Sequence, residues 1–172
     1  MALLAGVGCL PIGSAEPADP IAEQAPLDSP DTAVVDRVVD GDTLVVTFAH
    51  GSERVRLVGI DAPESVAPNQ PVHCYGAEAS HALADLLPEG TVIRVERDVE
   101  ARDRYDRLLL YVYRADDGLF VNEWLVAEGF AESRSYEPNT THQRAFDRSR
   151  DEARANGIGL WGRCDGPEQP LP

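Results

Sequence analysis

Three short runs rich in Val and Leu follow one another between residues 33 and 60: Ala33–Val39, Leu44–Ala49 and Arg54–Ile60. Asp40-Gly41 separates the first pair and His50-Gly51-Ser52 the second. Both are tight-turn compositions, so the runs predict a three-stranded antiparallel meander. Over Gly76–Leu87 the apolar residues change spacing: Ala79, Ala82, Leu83, Leu86 and Leu87 recur every three to four positions, the mark of a helix with one buried face. Pro88-Glu89-Gly90 ends it. Thr91–Val99 and Leu108–Tyr113 return to strand-like composition and are joined by the charged segment Glu100–Arg107. Asn122 suits the N-cap of a short helix closing at Gly129. Thr140 and Gln143 suit a capping box for another helix that stops near Gly157.

Five strands, a helix after the third and further helices at the end predict an α+β, mainly β fold: a five-stranded barrel of the oligonucleotide-binding (OB) type with about three helices packed on it. This domain is expected over 33–165, with a short tail at 166–172. Residues 1–32 differ. Met1–Leu10 is apolar and contains Cys9, and Pro11–Thr32 is rich in Pro, Ala, Asp and Glu without periodicity, which reads as a disordered acidic linker. Leu3-Leu4-Ala5-Gly6-Val7-Gly8-Cys9 resembles the end of a lipoprotein signal, making Cys9 a lipidation candidate and a possible membrane tether. Gly6 in place of the usual Leu and the lack of a basic start depart from that pattern, and an accidental apolar N-terminus is the alternative.

Composition changes this picture in one respect. The 172 residues carry a net charge of −15, with 30 acids against 15 basic residues, every one of them Arg. A nucleic-acid binder is ordinarily basic. Excess acid without a single Lys, however, matches the habit of proteins from salt-saturated cytoplasms, where dense carboxylates keep a protein solvated. The global charge is then read as habitat, and function is sought in the local placement of Arg. With 43% hydrophobic residues and no apolar stretch near the roughly 20 residues needed to span a bilayer, the chain suits a single folded domain, expected to be a monomer.

The candidate chemistry lies at the ends of the meander. Asp40 and Asp42 open it; Asp61 and Glu64 close it. An antiparallel hairpin brings its open ends together, so four carboxylates would crowd one spot, and a cation or a shared proton must relieve their repulsion. Oxygen-only ligands suit a hard cation such as Ca2+. Arg56 in the strand feeding that spot would place an anion beside the metal. The bland alternatives are an Asp-Gly turn for Asp40 and Asp42, a surface pair with Glu53 for Arg56 and one with Asp103 for Arg107. The four His residues have no metal-ligand spacing, and Trp124 and Trp161 read as core.

Three motifs, in this order and spacing, resemble the staphylococcal nuclease family from about Ala33 to Trp161: Val39-Asp40-Gly41-Asp42-Thr43, Arg56-Leu57-Val58-Gly59-Ile60-Asp61-Ala62-Pro63-Glu64 and Asp103-Arg104-Tyr105-Asp106-Arg107. Val121-Asn122, Leu125-Val126, Pro138-Asn139 and Gly159-Leu160-Trp161 add weaker support. The resemblance implies the family's barrel and a calcium-dependent phosphodiesterase acting on DNA and RNA with little sequence preference and leaving 3′-phosphates. It implies Asp42, Asp61 and the backbone carbonyl of Ala62 as direct calcium ligands, with Asp40 and Glu64 acting through water. Glu64 takes the place of the proposed general base, Arg56 and Arg107 those of the phosphate-gripping arginines, and Tyr105, Tyr136 and Arg104 lie where relatives contact the nucleotide. Asp106 stands where the best-known member has Gly, and is expected to orient Arg107 or to weaken its hold on phosphate. Arg104 replaces a usual Lys and keeps the charge. Some relatives have lost the catalytic residues, so a binding or protein-interaction module on the same barrel is the alternative. Finally, export to the cell surface or beyond would favour a disulfide between Cys74 and Cys164, with Cys9 outside it; two unpaired thiols are the other reading.

Overall fold

A computed structural model describes residues 31–65, 73–167 and 169. The Cys9 lipidation motif and the acidic linker through residue 30 lie outside the described residues, as do residues 168 and 170–172 of the tail. Five strands close a barrel: β1 (Thr32–Asp40), β2 (Thr43–Phe48), β3 (Gly51–Leu57), β5 (Val92–Arg102) and β6 (Leu108–Arg114), in the order β1-β2-β3-β6-β5. The β1-β2-β3 meander is antiparallel, β3 meets β6 in parallel, and β1 pairs with β5 to close the ring. This is the OB-type barrel that the strand pattern predicts. Its interior is filled by alternate residues of the strands, among them Val35, Leu44, Val46, Val55, Leu57, Ile93 and Leu110, all nearly inaccessible to water.

Helix α1 (Gly76–Leu86) lies against β1, while α2 (Val121–Ala127) and α3 (Gln143–Ala155) pack on each other and cover the barrel through Leu125, Val126 and Phe146. A single turn, α4 (Leu160–Arg163), follows. No helix among the described residues is long and apolar enough to cross a membrane. Trp124 and Trp161 are only partly buried, Trp124 stacking on Phe130 and Trp161 lying under Arg154.

Several local expectations are corrected. The third strand does not run unbroken to Ile60. It stops at Leu57, and Ile60–Asp61 forms a separate strand, β4, paired with β7 (Glu132–Ser133). Gly59 causes the break: its φ is +81°, and an added Cβ there would lie 2.5 Å from the Phe146 ring. The second hairpin turns at Ala49-His50, since Phe48 already pairs with Gly51. Strand β5 absorbs Glu100–Arg102 from what the sequence suggests as a loop. Asn122 is no cap, because Phe120 holds that position. The Asn122 side chain is buried, accepts from the Val112 N–H at 2.9 Å and donates to the Val58 carbonyl at 2.9 Å, tying β6, α2 and the end of β3 together. Nor does the capping box of Thr140 and Gln143 form. His142 occupies the cap of α3, and the Gln143 amide turns back to Ser133 and Asp147.

Candidate active site

Two tight connections and one strand break deliver the acids. Asp40 pairs with Thr43 across the β1–β2 turn, leaving Gly41 and Asp42 at its tip. Gly41 is required there, because a Cβ would sit 2.6 Å from that of Ala62 and 2.9 Å from that of Ala79 in α1. The Asp42 carbonyl accepts the Leu57 N–H at 2.9 Å, and its carboxylate accepts the Ala62 N–H at 2.9 Å, so the turn is bonded to both sides of the Gly59 break. Asp40 accepts the Asp42 N–H at 3.1 Å, and Thr43 donates to Asp42 at 3.1 Å. Asp42 is thereby held on several sides and is almost inaccessible.

Arg56 is the cation of this cluster. It projects from β3, remains only 8% exposed, and places Nη2 3.0 Å from Asp42 Oδ2 and 2.7 Å from Asp61 Oδ1, while Nη1 donates to the Leu57 carbonyl at 2.7 Å. Its predicted alternative partner, Glu53, instead makes a paired bridge with Arg102. Burial raises the pKa of Asp42 to about 7. Arg56 opposes that rise, and Asp40 and Asp61 add to it. Burial also disfavours the charge on Arg56, yet Asp42, Tyr136 and Asp61 keep its pKa above the ordinary value.

Arg107 comes from the opposite rim, on the short loop between β5 and β6. Asp103 accepts both its backbone N–H, at 3.0 Å, and its Nε, at 2.7 Å; the Asp103 pairing therefore exists, and it aims the guanidinium. Nη1 lies 3.5 Å from the Thr43 hydroxyl, pointing across the cleft toward the carboxylates. Tyr105 is 64% exposed and stands between two guanidiniums, those of Arg104 and Arg107, at 4.7 and 5.6 Å. Tyr136 lies under Arg56 at 5.8 Å, its hydroxyl 3.3 Å from Asp61. Asp106 takes a positive φ of +65°, and its carboxylate faces Arg102 at 3.6 Å. The acid bonded to Arg107 is Asp103.

Glu64 is fixed from behind. Its carbonyl accepts the His73 N–H at 2.9 Å, and Gly76 leaves room for that carbonyl, which an added Cβ would approach at 2.5 Å. Next to His73, Cys74 is bonded to Cys164, with Cα atoms 5.9 Å apart. Asp40, Asp42, Asp61, Ala62 and Glu64 share one open cleft of about 780 Å³ with Arg56, Arg104, Tyr105, Arg107 and Tyr136.

The donor set has the chemistry of a hard-cation site: four carboxylates and a backbone carbonyl, all oxygen, with Asp42 driven toward protonation by burial first and by its acidic neighbours Asp40 and Asp61 second. Asp42, Asp61 and the Ala62 carbonyl fit such an ion. Among the described residues no three His, Cys, Asp or Glu side chains are gathered closely enough to chelate a metal as they stand. Arg56 fills the space between Asp42 and Asp61, so an entering cation must share those oxygens with it. Two contributors were not legible in sequence. His73 pins Glu64. Arg134 donates to Asp61 Oδ2 at 2.7 Å, with no motif around it to signal that contact.

Residues 54–163 match the family model described as staphylococcal nuclease homologue. The chain is 38% identical over 130 residues to the thermonuclease of Staphylococcus intermedius, covering 76% of each protein. To the thermonuclease of Staphylococcus hyicus it is 37% identical over 130 residues, 76% of this chain and 75% of the relative. It is also 40% identical over 131 residues to the SPbeta prophage-derived endonuclease YokF of Bacillus subtilis, covering 75% of this chain and 43% of that protein.

Proposed function

Because the chain belongs to the staphylococcal nuclease family, we propose that it is a calcium-dependent phosphodiesterase that hydrolyses DNA and RNA with low sequence specificity and leaves 3′-phosphates. One observation carries the reading: two guanidiniums, Arg56 and Arg107, face each other across a cleft whose floor is a cluster of carboxylates. A scissile phosphate is held by that pair. Its equatorial oxygens gain negative charge as water adds to phosphorus, and forked N–H donors bind that charge more strongly than the ground state. Glu64 orients the attacking water and takes its proton. The bond from phosphorus to the 5′-oxygen breaks, the 3′-oxygen keeps the phosphate, and the 5′-oxygen leaves with a proton from solvent. Tyr105, Tyr136 and Arg104 bind the flanking nucleotide. Calcium, held by Asp42, Asp61 and the Ala62 carbonyl with Asp40 and Glu64 through water, would supply a fixed positive charge beside the phosphate.

The presence of Arg56, Glu64 and Arg107 together weighs against a binding-only module. Export is part of the same reading, supported by the Cys74–Cys164 bond, which suits oxidising surroundings. The deciding assay follows cleavage of single-stranded DNA and RNA in high salt, with calcium or with excess chelator, and identifies the ends produced. Expected are 3′-phosphate products only when calcium is present, and none from Asp42→Ala. Cleavage that persists under full chelation overturns the metal assignment, and tight binding without cleavage under any divalent ion returns the binding module.

A further inference from the structure

Arg134 follows β7 directly, and its backbone N–H is bonded to the Gly59 carbonyl at 3.0 Å, which anchors it at the strand break beside Asp61. From there Nη1 donates to Asp61 Oδ2 at 2.7 Å, while Arg56 Nη2 holds Oδ1 at 2.7 Å. Each oxygen of this one carboxylate therefore lies on a different guanidinium. The two arginines are not equivalent. Arg56 is buried and bonded to Asp42 and the Leu57 carbonyl as well, whereas the Arg134 side chain is 47% exposed. Substituting Arg56 disturbs the whole cluster. Substituting Arg134 removes one positive charge and leaves its anchoring backbone bond in place.

We propose that Arg134 is a positioning residue that acts through Asp61 as a tethered competitor for the metal. It occupies one carboxylate oxygen of a proposed metal ligand with a positive charge, so it lowers calcium affinity and sets the concentration at which the site fills. This rests on the calcium reading above. Loss of Arg134 strengthens calcium binding by about two- to fivefold at low salt, the size expected for one partly exposed ion pair. The gain shrinks as salt screens the charge.

Calorimetric titration of calcium into the native protein, Arg134→Gln, Arg134→Met, Arg134→Lys and Asp61→Asn tests this at two salt concentrations, together with melting temperatures with and without calcium. The two neutral variants should both bind more tightly, melt lower without calcium and gain more from its addition. Arg134→Lys should stay near the native affinity, because it keeps the charge. Unchanged or weaker binding in both neutral variants, with Asp61→Asn still abolishing the signal, overturns the proposal alone. Native-like binding in Asp61→Asn overturns the calcium reading, and this proposal with it.

Discussion

The two sides of the cleft present the same functional group in opposite ways. Arg56 is built into the barrel wall, its guanidinium satisfied by two carboxylates and a carbonyl and its charge required to neutralise them. Arg107 stands on a loop, steered at Nε by one acid, with its Nη atoms turned toward the cleft. On the wall side the site is also an element of fold stability, because the charges that would grip substrate also offset one another. On the loop side the site is presentation only. Under the proposed function, a phosphate would meet one arginine that must be shared and one that is waiting.

That contrast is most sharply broken by comparing Arg56→Ala with Arg107→Ala. Both should lower phosphodiester turnover by about 10²–10³-fold or more, as loss of a charge-stabilising donor does. Denaturant titration should separate them. Arg56→Ala leaves the buried Asp42 carboxylate without its cation and costs about 3–5 kcal/mol, while Arg107→Ala costs about 1 kcal/mol or less. Equal stability losses would erase the distinction between the two sides.

A middle-sized effect concerns Asp42 in metal-free protein. Its folded pKa of about 7 lies above its unfolded value of 3.8. Between those limits the folded state holds a proton that the unfolded state has lost, so stability falls as pH rises, by at most about 1.4 kcal/mol per pH unit. Acids held low by their partners, such as Asp103, act with the opposite sign and only below pH 3.8. Urea midpoints measured in chelator from pH 4 to 8 should show this slope in the native protein and lose it in Asp42→Asn. The smallest effect belongs to the loop side. Asp106→Gly should change turnover less than about twofold, because its carboxylate is turned to Arg102. Stability should move by about 1 kcal/mol or less, relief of the positive φ being offset by a freer unfolded chain. A larger kinetic change would restore a direct role for Asp106.

The barrel was legible because its signals are periodic: alternating Val and Leu for the strands, three-to-four spacing for α1. The acids were legible for a related reason, since a hairpin must return its ends to one place. What escaped depends on contacts that have no period. Gly59 breaks a strand through its positive φ, and Phe146, 87 positions away, fills the space a side chain there would need. Asn122 has the composition of a cap, but the carbonyls it satisfies belong to Val58, just past β3, and to Leu110 of β6. Glu53 and Arg56 are near neighbours in sequence and on one strand, yet each chose a partner from elsewhere. Arg134 reaches Asp61 only because β4 and β7 pair, and two-residue strands leave no pattern.

The contact of Gly41 with Ala62 and Ala79 bears on how this enzyme can diverge. Three small residues, one from the acidic turn, one beside Asp61 and one from the buried face of α1, fix the gap between the two arms of the cleft. Single-step exploration of side chains at position 41 is closed, since even a methyl group there has nowhere to go. Wider or narrower clefts in descendants must therefore arrive through compensated pairs, an enlargement on the turn matched by a retreat of the helix. A directed-evolution library that varies positions 41, 62 and 79 together has access to substrates that libraries confined to the charged residues will never sample.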